Sequence, residues 1–376
     1  MRVVVVGAGI GGLSAAVALE QAGHEVVIVD RANEASAGGV GIAVGPNAFV
    51  ALGQLGAAEA VLERGNTARG RRVYTWQGRM LSEGPWKGGV VRRADLHEEL
   101  RRRLRAEVQH RRWCVKVKQD ERRAVARFED GTEEAGDVLI AADGLRSTIR
   151  GQLFDDGEPI YRGSTSFRGI AQITHPIIDE HIIESWGRGC RIGLQNLGRG
   201  WTYWFTAWNA PQGSFVSAAE GKRLLRERFG GWHEPIDAVL GATTQEMILQ
   251  TDLADRDPLP HWSVGRIALL GDAAHPMTPD LGQGGAQAIE DAVALGRAMS
   301  SGSDPLSALQ DYETRRMPIA YDILARARRH YRIAQLENPF ACAVRNSTVR
   351  VLPSAVARLI GVRRPQWIET GPQSTD

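Results

Sequence analysis

The chain runs to 376 residues, with 46 basic and 44 acidic side chains and a formal net charge of +2. Hydrophobic residues at 43% and charged residues at 24% support one large or two modest domains with a sizeable core, and exclude extended disorder. The near balance of charge argues against a nucleic-acid binder, and Cys114, Cys190 and Cys342, far apart and with no Cys/His cluster, argue against a metal centre or disulfide framework and fit a reducing cytoplasm.

Val3-Val4-Val5-Val6 reads as a parallel strand buried on both faces. The apolar run stops at Gly7-Ala8-Gly9 without developing into a signal peptide, and no later stretch reaches the roughly 18 apolar residues of a membrane span. Gly7-Ala8-Gly9-Ile10-Gly11-Gly12 opens a helix through Leu13, Ala16, Val17 and Leu19, which ends at Gly23-His24. Glu25 to Val29 then forms a second strand finishing on Asp30. This strand–GxGxxG–helix–strand–acid order is a dinucleotide-binding fingerprint. Gly7 permits the tight turn, Gly9 lets the backbone approach a pyrophosphate, and Gly12 lets the helix pack on the strand. The helix N-terminus points unpaired N–H groups at the phosphates, and Asp30 is placed for the ribose hydroxyls. Taken alone, this segment does not separate NAD from FAD.

Residues 71–81 read as a hairpin turning at Gln77-Gly78. Arg92 and Arg93 open a helix with Leu96 and Leu100 on one face. Residues 137–150 give a buried strand ending in Asp143-Gly144, with Ser147 and Arg150 following. Residues 165–171, 190–194 and 201–208 are β-branched and aromatic runs separated by turn residues, as an antiparallel sheet requires. Residues 218–250 read as mainly helical. Residues 267–272 form another apolar strand, ending in Gly271-Asp272, and Pro276 and the glycine-rich stretch Gly282-Gln283-Gly284-Gly285 lead into a helix through Ala288, Ile289, Ala292 and Leu295. The tail after His330 is Arg-rich and helical, with Pro353 and Pro365 as breaks. No second GxGxxG follows a strand, so a separate pyridine-nucleotide domain is not expected.

These three motifs, in this order over nearly the whole chain, resemble the single-component flavoprotein aromatic hydroxylases of the para-hydroxybenzoate hydroxylase type. The resemblance implies an α/β fold, α+β overall: a Rossmann-like FAD-binding domain with an inserted, mostly antiparallel substrate sheet and a C-terminal helical tail. The expected division is 1–70, 90–158 and 256–330 for FAD, 71–89 and 159–255 for substrate, and 331–376 for the tail. In that family the aspartate of the GD motif, here Asp272, binds the ribityl chain. Pro276 and the Gly282–Gly285 helix entry lie beneath the flavin pyrimidine, where helix N–H groups stabilise negative charge on the reduced ring. The DG motif, Asp143-Gly144 with Ser147 and Arg150, is associated with FAD and the pyridine nucleotide. Residues 39–47, with Gly41 and Ile42, match the strand beside the ring. Arg31 corresponds to a cation near the adenosine, and Arg93 to an arginine on the FAD phosphates, with Arg92 one residue away as the alternative.

Arg191 and Tyr203, twelve residues apart, are the candidate catalytic residues: they lie where the urate-hydroxylase branch carries an Arg and a Tyr, and a buried Arg and Tyr can polarise or hold an electron-rich anionic ring. Tyr203 reads equally as a sheet aromatic and Arg191 as a domain-interface ion pair. His275 reads as structural, and Trp186, Trp232 and Trp262 as core or rim. The resemblance implies NADH or NADPH as transient co-substrate and O2 activation through a flavin C4a-hydroperoxide. It further implies hydroxylation of a small aromatic or heteroaromatic substrate by a cytoplasmic monomer or homodimer without metal, nucleic acid or membrane span. A flavin epoxidase or oxidase of a larger polycyclic or isoprenoid compound, which zeaxanthin-epoxidase-type chains suggest, and an FAD-dependent reductase remain as alternatives.

Overall fold

The computed structural model describes residues 1–33, 40–300 and 304–351. Gly39 and the two breaks at Pro353 and Pro365 lie outside these residues. The valine strand Arg2–Val6 sits at the centre of a six-stranded sheet. It pairs in parallel with Glu25–Val29 on one side and Val138–Ala141 on the other, and Ile267–Leu269 continues the parallel array. Both faces of these strands are covered, which is why they read as unbroken apolar runs. The glycine-rich turn and the two Asp-ending turns therefore emerge at the carboxyl edge of neighbouring strands, where open α/β sheets bind ligands.

Two glycines set the first turn. Gly7 has φ +103°, and a Cβ there would lie 2.3 Å from the Ala142 carbonyl oxygen. A Cβ on Gly12 would fall 1.8 Å from the Gly7 oxygen, so the helix Ile10–Gln21 crosses the strand end at a distance only glycine allows.

The second sheet has eight strands. Their spatial order runs Leu249–Asp255, Ile160–Ala171, Trp201–Asn209, Cys190–Gly198, His181–Trp186, Asn66–Thr75, Met80–Arg92, Gly41–Val44. All neighbours are antiparallel except His181–Trp186 against Asn66–Thr75. The period-two alternation sorts side chains by face. Phe167, Ile192, Leu194, Trp204 and Trp208 pack under the helices Ala218–Phe229 and Ile236–Ala242. Arg168, Ile170, Glu184, Arg191, Tyr203 and Phe205 occupy the opposite face, towards the nucleotide fold. The expected hairpin is present and longer than 71–81, and Trp186 and Trp262 are fully buried.

Three local expectations are corrected. Residues 249 and 250, expected at the end of the helical stretch 218–250, open an edge strand instead, because Leu249 to Asp255 pair with Ile160–Ala171. A small three-stranded sheet of Cys114–Gln119, Ala124–Phe128 and Glu133–Gly136 was not anticipated, since its charged, short strands carry little apolar alternation. The helix that crosses His330 continues from Pro305 to Ala334, so no break separates a tail at residue 331. None of the described helices is long and apolar enough to cross a membrane.

Candidate active site

The three motifs line one recess. Gly9 caps the first helix with φ −68° and ψ −177°, and a Cβ there would meet nothing within 4 Å. The helix N-terminus thus faces an open cradle, and Ile10 is buried behind it. A Cβ on Gly11 would stand 3.1 Å from both Ala288 Cβ and Leu270 Cδ2, which brings the first helix against the GD strand and the glycine-rich helix. The Asp30 carboxylate accepts the Ala8 N–H at 2.5 Å and the Ala32 N–H at 2.6 Å, fixing the turn from the second strand. Arg31 is exposed at the rim. His97, which sequence reasoning passed over, donates Nε2–H to the Ala8 carbonyl at 2.8 Å. Burial pushes its pKa down, the Ala8 contact opposes this, and Arg93 adds to the lowering, so the ring is neutral.

Arg93 and Asp272 are solvent-accessible yet enclosed by protein on most sides, which places them on the walls of a deep recess. Burial lowers the Arg93 pKa, Asp272 opposes the shift, and Arg168 reinforces it. Burial raises the Asp272 pKa, while His275 and Arg93 pull it down and Asp291 raises it further. A Cβ on Gly284, the first residue of the helix Gly284–Ser300, would lie 3.6 Å from Asp272 Oδ1. One on Gly285 would lie 3.0 Å from Ile42 Cδ1, and one on Gly41 2.4 Å from the Tyr203 ring. Helix entry, flavin-motif strand and sheet aromatic are therefore in continuous contact. Gly282 has φ +63°, and Pro276 is buried in the same loop.

Asp143 accepts the Ile149 N–H at 3.4 Å through Oδ2, and its buried Oδ1 has no protein partner among the described residues. Burial raises its pKa. Ser147 caps the following helix by accepting the Arg150 N–H at 2.9 Å. The Arg150 guanidinium turns inward. It pairs with Asp156 at 2.6 Å and donates to the carbonyls of Ala274 and Asp257, each at 2.9 Å. Arg150 therefore ties the DG turn to the GD turn and presents no face to a nucleotide.

Arg191 is 1% exposed and bridges the domains. Nη1 donates to Glu184 Oε1 at 2.8 Å within the sheet, and Nη2 to Asp280 Oδ1 at 2.6 Å in the glycine-rich loop. Glu184 also accepts Trp186 Nε1–H at 2.8 Å and pairs with Arg71. Although burial opposes it, Arg71 and Arg191 hold Glu184 far below the usual carboxylate range, and Arg191 likewise depresses Asp280. Depressed acids stabilise the fold fully above their unfolded values of about 4 and lose that contribution as pH falls. We expect stability to drop steeply below about pH 4, with a shallower decline in Arg191→Met, read from urea midpoints across pH.

A second buried network, invisible in sequence except for His275, backs the glycine-rich helix. Arg316 Nε meets Asp291 Oδ1 at 2.7 Å, Nη1 meets Glu290 Oε2 at 2.9 Å, and Nη2 meets Gln287 Oε1 at 2.6 Å. Asp291 Oδ2 also receives His275 Nε2 at 2.5 Å and the Gly271 N–H at 3.1 Å. Asn47 donates to Gln283 at 3.0 Å and contacts Glu290. Through these partners the loop from Gly271 to Gln283 is held against the helix.

The profile of the family described as "FAD binding domain" matches residues 1–327. The chain belongs to this FAD-binding family. It is 38% identical over 365 residues to the aurachin C monooxygenase/isomerase of Stigmatella aurantiaca, covering 94% of this chain and 95% of that relative. It is 31% identical to the FAD-dependent urate hydroxylase of Klebsiella pneumoniae, covering 88% and 89%. The crystal structure of Klebsiella pneumoniae HpxO complexed with FAD and uric acid superposes with a TM-score of 0.89 at 27% identity, covering 99% of this chain and 97% of that one. The protein is thus a flavoprotein oxidoreductase, an FAD-dependent monooxygenase, with the fold that its motifs imply.

The recess suits the cofactor of this family. A dinucleotide needs backbone N–H groups with no side chain in the way, a cation for its phosphates and an acid for its hydroxyls. Gly9, Arg93 and Asp272 offer these around one cavity, and the unpartnered Asp143 Oδ1 adds a further acceptor.

Proposed function

We propose that this monooxygenase uses NADH or NADPH and O2 to hydroxylate a small aromatic or heteroaromatic ring, bound between the FAD recess and the inserted sheet. The observation that carries this reading is the approach of Arg93, Asp272, Gly284 and Tyr203 to one another, with the Gly9 turn tied to the Arg93 helix through the His97–Ala8 contact. When bound, FAD supplies the two-electron redox chemistry and oxygen activation. The protein's part is placement. Gly9, Ile10, Gly11 and Gly12 present the helix N-terminus to the pyrophosphate, and Arg93 neutralises it. Asp30 and Arg31 border the adenosine, and Asp143 and Asp272 face the sugar and ribityl hydroxyls. The N–H groups at Gln283, Gly284 and Gly285, with Gly282 (its own N–H held by the Pro279 carbonyl) and Pro276 shaping the loop, would face the pyrimidine edge and stabilise negative charge there. Gly41 and Ile42 close the other side. The pyridine nucleotide, lacking a domain of its own, reaches the ring through the same recess.

Tyr203 stands on the substrate face. Burial raises its pKa while Arg168 and Arg93 oppose the shift, so the phenol stays protonated and donates to a ring oxygen or nitrogen. Arg191 acts as a positioning residue, holding the loop through Asp280. Arg191→Met is expected to retain FAD but to release several-fold more H2O2 per NAD(P)H oxidised; wild-type coupling would dismiss the role. The named relatives that act on urate, 6-hydroxynicotinate and 3-amino-4-hydroxybenzoate support a small-ring substrate. The zeaxanthin epoxidase relative supports the isoprenoid alternative as the second reading. A cytoplasmic location fits the three reduced, buried cysteines.

The test is NADH and NADPH oxidation with O2 uptake and peroxide release across phenols, hydroxypyridines, hydroxyquinolines and urate. Accelerated oxidation with little peroxide for one class supports hydroxylation and names its substrate. NAD(P)H oxidation without O2 uptake would establish a reductase instead.

A further inference from the structure

Arg191, the arginine that sequence reasoning offered as the partner of an anionic ring, already has two carboxylates, Glu184 and Asp280. Its charge is balanced before any substrate arrives. A different arginine on the same face is not balanced. Arg168 lies on the strand Ile160–Ala171 directly opposite Phe205, and its neighbour Ile170 is opposite Tyr203. Residues two apart share a face, so Arg168 and Tyr203 are diagonal neighbours within reach of each other's side chains.

Arg168 Nη2 donates to Thr251 Oγ1 at 2.5 Å, and no carboxylate pairs with it among the described residues. Arg93 approaches from the recess side, close enough that Arg168 disfavours its charge while Asp272 favours it. Two cations and a phenol donor thus converge with one acid between them. Half-buried like charges are unfavourable unless an anion joins them. The donor set also suits an oxygen anion: Arg168 keeps further guanidinium N–H groups beyond the one held by Thr251, and a fork of this kind matches a carboxylate or enolate.

We propose that Arg168 is the specificity-determining cation of the substrate site, so that the enzyme takes an aromatic or heteroaromatic ring carrying an anionic oxygen as a carboxylate, phenolate or enolate. This rests on the hydroxylase reading for the site but not on turnover for its test. Thr251 fixes the guanidinium, and Tyr203 supplies the second donor to the same ring.

The experiment uses the FAD-loaded protein and two isosteric probes, benzoate and neutral benzamide, followed by perturbation of the flavin absorbance at pH 7. Wild type should bind benzoate more tightly than benzamide. Arg168→Met should weaken benzoate by about 10- to 100-fold, the span of one charge-assisted contact, with benzamide binding and FAD content unchanged. Arg168→Lys should recover part of the benzoate affinity. Equal affinity for both probes in wild type, no benzoate binding, or unaltered benzoate binding in Arg168→Met would overturn the proposal. Loss of FAD from Arg168→Met would also overturn it and assign the arginine to the cofactor phosphates. Failure of hydroxylation in the turnover panel, with the benzoate preference intact, would count against the hydroxylase reading alone.

Discussion

Gly9→Val is expected to give a folded protein that purifies almost colourless. The backbone at Gly9, with φ −68° and ψ −177°, is open to any residue, and a Cβ there meets no atom within 4 Å. Valine therefore costs the apo fold little, but its methyls stand where a pyrophosphate must approach the helix N-terminus. Overpacking of this kind costs about 1–3 kcal/mol, a loss of roughly 5- to 150-fold in FAD affinity. Gly12→Val provides the contrast. Its Cβ would sit 1.8 Å from the Gly7 oxygen, so that variant should fail to fold at all. Flavin-to-protein ratio together with circular dichroism separates the two. Full FAD retention in Gly9→Val would remove the pyrophosphate from this turn.

Arg316→Met is the second large effect. Removing this side chain leaves the fully buried Glu290 without its cation and Asp291 with only His275 beside it. Breaking a buried pair from one side costs about 3–5 kcal/mol because an uncompensated charge stays behind. The expected result is a clear fall in the urea midpoint and weaker flavin retention, since Asp291 also holds Gly271 and His275, and Glu290 the Asn47–Gln283 contact. Adding Glu290→Gln to Arg316→Met should recover part of the stability. An unchanged midpoint would show that the network carries no load.

The parts that sequence revealed are those where chemistry is local. A glycine turn, a buried valine strand and an acid at a strand end all lie within about thirty residues, and their spacing is set by one βαβ unit. The same holds for Asp272 and the glycine-rich helix entry. The substrate sheet was readable as strands, since aromatic and β-branched residues cluster from Cys190 to Trp208 with turn residues between the runs, but its edge strand Leu249–Asp255 was not. That strand is polar and only half-buried, so pairing with Ile160–Ala171, rather than its own pattern, makes it a strand. The three-stranded sheet from Cys114 to Gly136 escaped for a similar reason.

Within the site, the distribution of charge was hidden. Arg191 and Arg168 look alike in sequence, and only the fold shows that one meets Glu184 and Asp280 while the other meets a threonine. Arg316 and His97 act on the motifs across separations of 25 and 89 residues, distances at which no spacing rule applies.

The proposed reaction places oxygen insertion where the FAD recess meets the Tyr203 face. It is tested most directly by turnover under ¹⁸O2 with the ring compound that best suppresses peroxide release, followed by mass spectrometry of the product. One labelled oxygen atom per product molecule is expected, with that incorporation lost in Tyr203→Phe while FAD is retained. A product whose new oxygen comes from water, or NAD(P)H oxidation with no oxygenated product from any ring compound, would contradict it.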